Sequence, residues 1–401
     1  MRPLKRLIQL DEALSLLYQR VHPIERTEEI PIDEAVGRVA AEDVISRVSV
    51  PPFSRSAMDG YAVRARDTYN ASKTHPMRMK LVEAIYAGAV ARKPISKGQC
   101  SEIATGAMLP RGADAVVMVE DTEFEGGTVV LNTPVHPGEN VSKKGEDIVP
   151  GTKVLSRGEV LNPSKIGALA AIGSQSAIVY SRPTVGIVPT GNEIAPLGSK
   201  LAPGQVYDIN SHTLQGVVES NGGIARRLGI FDDTLKALTD ALRKGSDFDM
   251  LVFSGGSSVG ERDIMLDVLE KSGEVVFHGV AVKPGKPTLF GVVGKQLVFG
   301  MPGYPTACLS NAYIILKPVL RKMARLPEDP PASVKARMSK RVVSTTGRTQ
   351  FLTVRLVDGV AHPAFKESGA ITSMAFADGY VVIPADVDLL EKDEEVRVYL
   401  L

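Results

Sequence analysis

The chain has 401 residues, 44% of them hydrophobic and 23% charged, with a net charge of +1. That balance excludes a nucleic-acid or anionic-membrane protein working through bulk charge and an intrinsically disordered chain, and the length predicts ~2–4 domains. The two cysteines, Cys100 and Cys308, lie too far apart for a metal knuckle or a disulfide framework; with no signal-peptide-like start and no spanning apolar run, they predict a cytoplasmic protein that does not enter a membrane.

In chain order, Leu10, Leu14 and Leu17 line one face of a helix expected over about 11–21, with Asp11 as its cap. Asp33 is expected to cap a second, short helix ending near Gly37. Pro51-Pro52 and Asp59-Gly60 break regular structure. From about 63 to 155 short apolar stretches alternate with Gly, Pro and Asp, which predicts a β-rich region with a hairpin turn at Gly126-Gly127. A helix follows from Pro163, with Asn162 as N-cap and Gly173 just beyond its end.

From Pro183 strands and helices alternate. Strands are expected at Val185–Val188, Leu228–Phe231, Met250–Phe253, Val275–Val282, Thr288–Val292 and Leu297–Phe299. Between them, Ser211 is expected to cap one helix and Asp232 or Asp233 the next, and a single long helix runs from Pro305 to near Met323. This is the pattern of a doubly wound α/β domain with a largely parallel sheet, whose ligand site lies at the C-terminal strand ends. After the proline-containing linker 326–331, short strands without helical period predict a small β-barrel or sandwich.

The stretch Met250–Asp263 reads as buried strand, Gly/Ser loop and helix start. Ser254, Gly255, Gly256, Ser258 and Gly260 bring backbone N–H groups and hydroxyls together, suiting a phosphate or other oxyanion. The same glycines equally suit a tight turn with no ligand. Thr190 and Gly191 end an earlier strand, and Glu193, Asp232 and Asp263 fall at successive strand ends, a set fitted to a hard cation such as Mg2+. Each singly also suits a cap or a solvated surface. Lys283 and Lys286 flank a rigid Pro-Gly turn that would pair with phosphate or stand solvated. Pro302, Gly303 and Pro305 precede a helix and would either present N–H groups to an anion or only start that helix. No G-x-S-x-G, Walker or zinc pattern is present.

Taken together, Ser-Ala-Met-Asp-Gly-Tyr-Ala (56–62), Thr105-Gly106, Gly112–Ala115, Gly145–Asp147, Pro189–Glu193, Asp208-Ile-Asn210, the 254–263 loop, Lys283–Pro287, Pro302–Pro305 and the Ser368–Gly379 stretch resemble the molybdopterin molybdenumtransferases, the molybdenum insertases of cofactor biosynthesis. The resemblance spans nearly the whole chain. It implies a multidomain α/β and β fold. Residues 1–46 and 141–180 would form an elongated N-terminal region, and 47–140 an inserted β-rich domain. Residues 181–325 would be the molybdopterin-binding α/β domain and 326–401 a C-terminal β-barrel. It implies a homodimer whose cleft lies between the α/β domain of one subunit and the N-terminal domains of the other. The implied reaction inserts molybdate, or tungstate, into adenylylated molybdopterin and releases AMP with Mg2+ assisting; contact with the molybdopterin adenylyltransferase goes with it.

By motif position, Asp59, Thr105, Glu193, Asp232 and Asp263 are the implied catalytic set, with Asp233 able to align in place of Asp232. Ser56, Thr105 and the Pro302-Gly303 backbone are the implied oxyanion donors. Two positions depart from the family's pattern: Tyr304 stands where Asn is usual, and Ser257 where Val is usual. Tyr304 keeps open an altered metal preference, and a non-catalytic molybdopterin-binding or scaffold protein using the same cleft.

Overall fold

The computed structural model describes residues 7–255, 264–366 and 369–401. The chain divides into two units. One holds residues 29–36 and 40–179; the other holds 1–28, 37–39 and 180–401.

In the 40–179 unit a six-stranded sheet runs in the order Ala115–Met118, Gly60–Val63, Gln99–Ile103, Met77–Ile85, Thr128–Leu131, Thr122–Glu125. Its core is small and aliphatic: Val63, Met79, Cys100, Val117, Val129 and Leu131 are all buried. The Gly126-Gly127 turn forms as expected, both glycines taking positive φ between paired strands. The helix Pro163–Ala171 starts on Asn162, whose Oδ1 accepts from the Lys165 N–H at 2.9 Å.

The other unit is built on a second six-stranded sheet, ordered Ile224–Arg227, Thr184–Pro189, Met250–Ser254, Gln296–Met301, Leu289–Val293, Glu274–His278. The first four strands are parallel and the last two antiparallel. Side chains alternate between two covered faces. Met250 and Val252 join Leu214, Val217 and Ile315 on one side; Leu251 and Phe253 join Leu238, Leu242, Met265 and Leu269 on the other. That is why Met250–Phe253 is an unbroken apolar run. The chain then closes a five-stranded barrel, in which Thr349–Val357 pairs with both Val360–Pro363 and Gly379–Ile383. The fold is therefore doubly wound α/β with a β-rich N-terminal sheet and a C-terminal β-barrel.

Several local expectations are corrected. The edge strand is Ile224–Arg227, not Leu228–Phe231; Gly229 takes φ +102°, and Phe231 meets the sheet only through a bridge to Thr190. The first helix is Leu10–Arg20, with Asp11 inside its first turn and no side-chain cap. Ile32–Glu34 is a 3-10 turn containing Asp33. Neither Asp232 nor Asp233 caps the Leu235–Lys244 helix: Thr234 Oγ1 does, accepting from the Ala237 N–H at 3.1 Å. Ser211 lies within the Asn210–Ser220 helix, and Asp208 Oδ1 accepts its N–H at 3.0 Å. The stretch from Pro305 is not one regular helix. Ala312–Leu316 winds as a π-turn just ahead of Pro318, which has no N–H to continue the α-helical ladder.

Both cysteines are buried free thiols. Burial pushes the Cys100 thiol up to about 12 and raises Cys308 too, the nearby Asp208 charge adding to it. At pH 8 the Cys100 thiolate fraction is then roughly a thousand-fold below that of an unfolded cysteine. Iodoacetamide should leave both unmodified in the native protein and label both after unfolding; mass spectrometry showing rapid native labelling would contradict this packing.

Candidate functional site at the strand ends

The C-terminal ends of the parallel strands lie against each other because glycine lets them. The Thr190 N–H donates to the Ser254 carbonyl at 2.9 Å, and the Gly191 N–H to the Phe231 carbonyl at 3.1 Å. Gly255 sits at φ +107°, where a Cβ would fall 2.1 Å from the Thr190 carbonyl oxygen. No other residue fits there. A Cβ on Gly303 would stand 3.5 Å from Gly255 Cα, so the third strand end joins the other two. Gly191, at φ +146°, lies beneath the Glu193 carboxylate: a Cβ there would be 2.7 and 2.8 Å from its oxygens.

This assembly leaves polar atoms unmatched. Thr190 Oγ1 and Ser254 Oγ are buried and complete no hydrogen bond among the described residues, nor does Asp233 Oδ1. Buried polar groups are otherwise almost always paired, so a group of orphans needs partners from ordered water or a ligand. Burial raises the Asp233 pKa, and the Glu193 and Asp232 charges raise it further. The Thr190 hydroxyl is near enough to favour its charged form but closes no bond of ordinary geometry. Glu193, itself exposed, is thus near enough for its charge to act on Asp233, and carboxylate oxygens of this kind suit a hard cation. Asp232 is exposed, and of the two aspartates it is Asp233 that turns inward. Among the described residues no three His, Cys, Asp or Glu side chains form a metal cage. Asp263, with Gly256, Ser257, Ser258 and Gly260, lies outside the described residues.

The remaining residues fall into place as follows. Pro302 is buried, and Gly303 and Tyr304 are exposed ahead of Pro305, which opens the next helix. Lys283 Nζ donates to Thr345 Oγ1 at 3.2 Å, and Lys286 belongs to a turn whose carbonyl accepts from the Val280 and Thr288 N–H groups. A Cβ on Gly285 would meet the Asn311 amide at 2.4 Å, so the lysine turn packs toward the far end of the Pro305–Asn311 helix.

Asp59, Thr105 and Ser56 form a separate knot in the 40–179 unit. Asp59 Oδ1 accepts from the Thr105 N–H at 2.7 Å and its hydroxyl at 3.0 Å, and these two bonds hold its carboxyl below the usual range. The Ser56 hydroxyl donates to the Met58 carbonyl. Both hydroxyls donate within the unit in this arrangement, Thr105 to Asp59 and Ser56 to the Met58 carbonyl. Gly60 anchors the knot: a Cβ there would strike the Val117 carbonyl oxygen at 2.0 Å.

Sequence reading passed over Asp208 and Asn210 as chemical groups, although Asp208 and Ser211 have the i, i+3 spacing of a capped helix start. Asn210 Nδ2 donates to the Gly303 carbonyl at 2.8 Å. It had no signal of its own, because its partner lies 93 residues away.

A doubly wound sheet with a glycine-lined notch at its strand ends, joined to a β-rich sheet and a C-terminal barrel, defines a multidomain α/β and β protein, and comparison with known proteins specifies which. Residues 8–173 match the MoeA N-terminal region (domains I and II), 186–322 the probable molybdopterin binding domain, and 335–401 the MoeA C-terminal region (domain IV). The chain is 34% identical to a putative molybdopterin biosynthesis protein of Methanocaldococcus jannaschii, covering 100% of both. It is 33% identical to the molybdopterin molybdenumtransferase of Bacillus subtilis, over 94% of this chain and 90% of that one. A crystal structure of the molybdopterin biosynthesis MoeA protein from Pyrococcus horikosii superposes with a TM-score of 0.85 at 40% identity, covering 98% and 99% of the two chains. The chain belongs to the MoeA family.

The raised Asp233 pKa has a consequence for stability. A carboxyl whose folded pKa lies above its unfolded value destabilises the fold once pH rises past the ordinary carboxylate range, and leaves it unaffected well below that range. Without divalent cation, Asp233→Asn should therefore melt above the parent at pH 8, the difference closing as pH falls below 4. Equal melting at both pH values would place Asp233 in solvent.

Proposed function

We propose that this enzyme inserts molybdenum from molybdate into the dithiolene of adenylylated molybdopterin and releases AMP. The observation behind this reading is the set of buried, unpartnered Thr190 Oγ1, Ser254 Oγ and Asp233 Oδ1 at adjacent strand ends. In this reading the two hydroxyls donate to phosphate oxygens. Glu193 and Asp233 would hold Mg2+, which when bound would supply Lewis-acid polarisation of a phosphate oxygen. Asp59 orients the Thr105 loop through the two hydrogen bonds it accepts. The reading includes a homodimer, a cytoplasmic location and contact with the molybdopterin adenylyltransferase, with molybdate or tungstate as the oxyanion. It keeps the domain limits given by the sequence, with 181–325 as the substrate-binding domain.

AMP release from adenylylated molybdopterin with Mg2+ should depend on an oxyanion, and the faster of molybdate and tungstate names the metal. Asp59→Ala and Glu193→Ala should each slow it by about 100-fold or more. Tight binding with no release under any condition would make the protein a molybdopterin scaffold instead.

Mg2+ should also be seen without turnover. With AMP present it should raise the melting temperature of the parent, by about 2–4 °C per kcal/mol of binding linkage. It should leave Asp233→Asn unmoved; an equal rise in both would remove Asp233 from the cation site.

A further inference from the structure

The strand-end notch holds a buried atom that an anion cannot satisfy. Asn210 opens the Asn210–Ser220 helix and is only 8% exposed. Its Nδ2 donates to the Gly303 carbonyl. That bond sets the amide's orientation, since the flipped amide would place oxygen against oxygen. Oδ1 is therefore at the other end, buried and without a hydrogen-bond partner among the described residues. An amide oxygen can only accept. Diphosphate and molybdate oxygens are acceptors too at neutral pH, so the missing partner is an N–H or O–H donor or a cation, and the amine-lacking analogue below tells these apart.

The same turn carries Tyr304, 66% exposed. One edge of its ring is supported: a Cβ on Gly369 would lie 3.5 Å from Cδ1 and 3.8 Å from Cε1. Its backbone is tethered on both sides, by Asn210 on the Gly303 carbonyl and by Thr306 Oγ1 donating to the Ala370 carbonyl at 2.9 Å. A large, open aromatic ring on a backbone this constrained gives up little conformational freedom when a flat ring stacks on it.

We propose that the Gly303-Tyr304 turn and Asn210 form the subsite for the substrate's flat nitrogen heterocycle. The Tyr304 ring is the stacking surface, and Asn210 Oδ1 accepts from a ring N–H or amino group. The proposal rests on the function read above, whose substrate brings two such heterocycles, pterin and adenine. Tyr304 is then a residue by which this chain selects substrate.

The test is binding of three probes, AMP, neopterin and inorganic pyrophosphate, to the full chain and to Tyr304→Phe and Tyr304→Ala. Tyr304→Phe should bind all three within about twofold of the parent. Tyr304→Ala should weaken one heterocycle by roughly 5- to 100-fold, the range of base–aromatic stacking, and leave pyrophosphate unchanged. Whichever of AMP or neopterin weakens is the occupant. The analogue of that ligand lacking its exocyclic amine should bind the parent about tenfold more weakly, because Asn210 Oδ1 then stays unmatched. Unchanged binding of both heterocycles to Tyr304→Ala would overturn the proposal. So would an equal loss for pyrophosphate, which would mean that Tyr304 only shapes the turn. A parent chain that binds neither AMP nor neopterin would instead overturn the functional reading beneath it.

Discussion

The approach of Gly255 to Thr190 governs the α/β unit's site. A side chain at 255 would stand 2.1 Å from the Thr190 carbonyl oxygen, and the two strand ends would have to part. With only hydrogen there, the parallel ladder runs to its last residue, and Pro189 pairs with Ser254 in register. Thr190 and Ser254 thereby end up side by side with their hydroxyls buried and unmatched. Covered sheet faces supply the rigidity: Val188, Leu251 and Phe253 are inaccessible to solvent on one side, and Val185, Met250 and Val252 on the other. Desolvating two hydroxyls and half a carboxylate is unfavourable by itself. The apolar burial immediately behind the notch offsets that cost.

Electrostatics divides the acidic residues. Asp233 is driven toward its neutral form by burial and by its neighbours Glu193 and Asp232. Asp59 is driven the other way by two hydrogen bonds from Thr105. Burial and like charge thus act on one carboxyl, and donated hydrogen bonds on the other.

Much of this was legible in the chain itself. Alternating burial makes Met250–Phe253 apolar throughout, so the two-faced sheet shows in its sequence. The Gly126-Gly127 hairpin and the Asn162 cap are local, each set by residues within four positions, and both form as read. Errors arose where local signals competed. Thr234 took the cap from two adjacent aspartates, and the Pro318 ring turned a regular apolar period into a π-turn. Gly229 ended the edge segment that periodicity had placed at Leu228–Phe231.

Length, apolar periodicity and motif order by themselves determined the α/β and β-barrel architecture and pointed to the strand ends as the site, because those features depend on neighbours in sequence. Only the tertiary structure decided which groups there are unmatched. Asn210 meets Gly303 across 93 positions, Thr190 meets Gly255 across two strands, and Asp233 rather than Asp232 turns inward. Burial and hydrogen-bond pairing depend on which distant segments pack together, and no spacing within one segment encodes that.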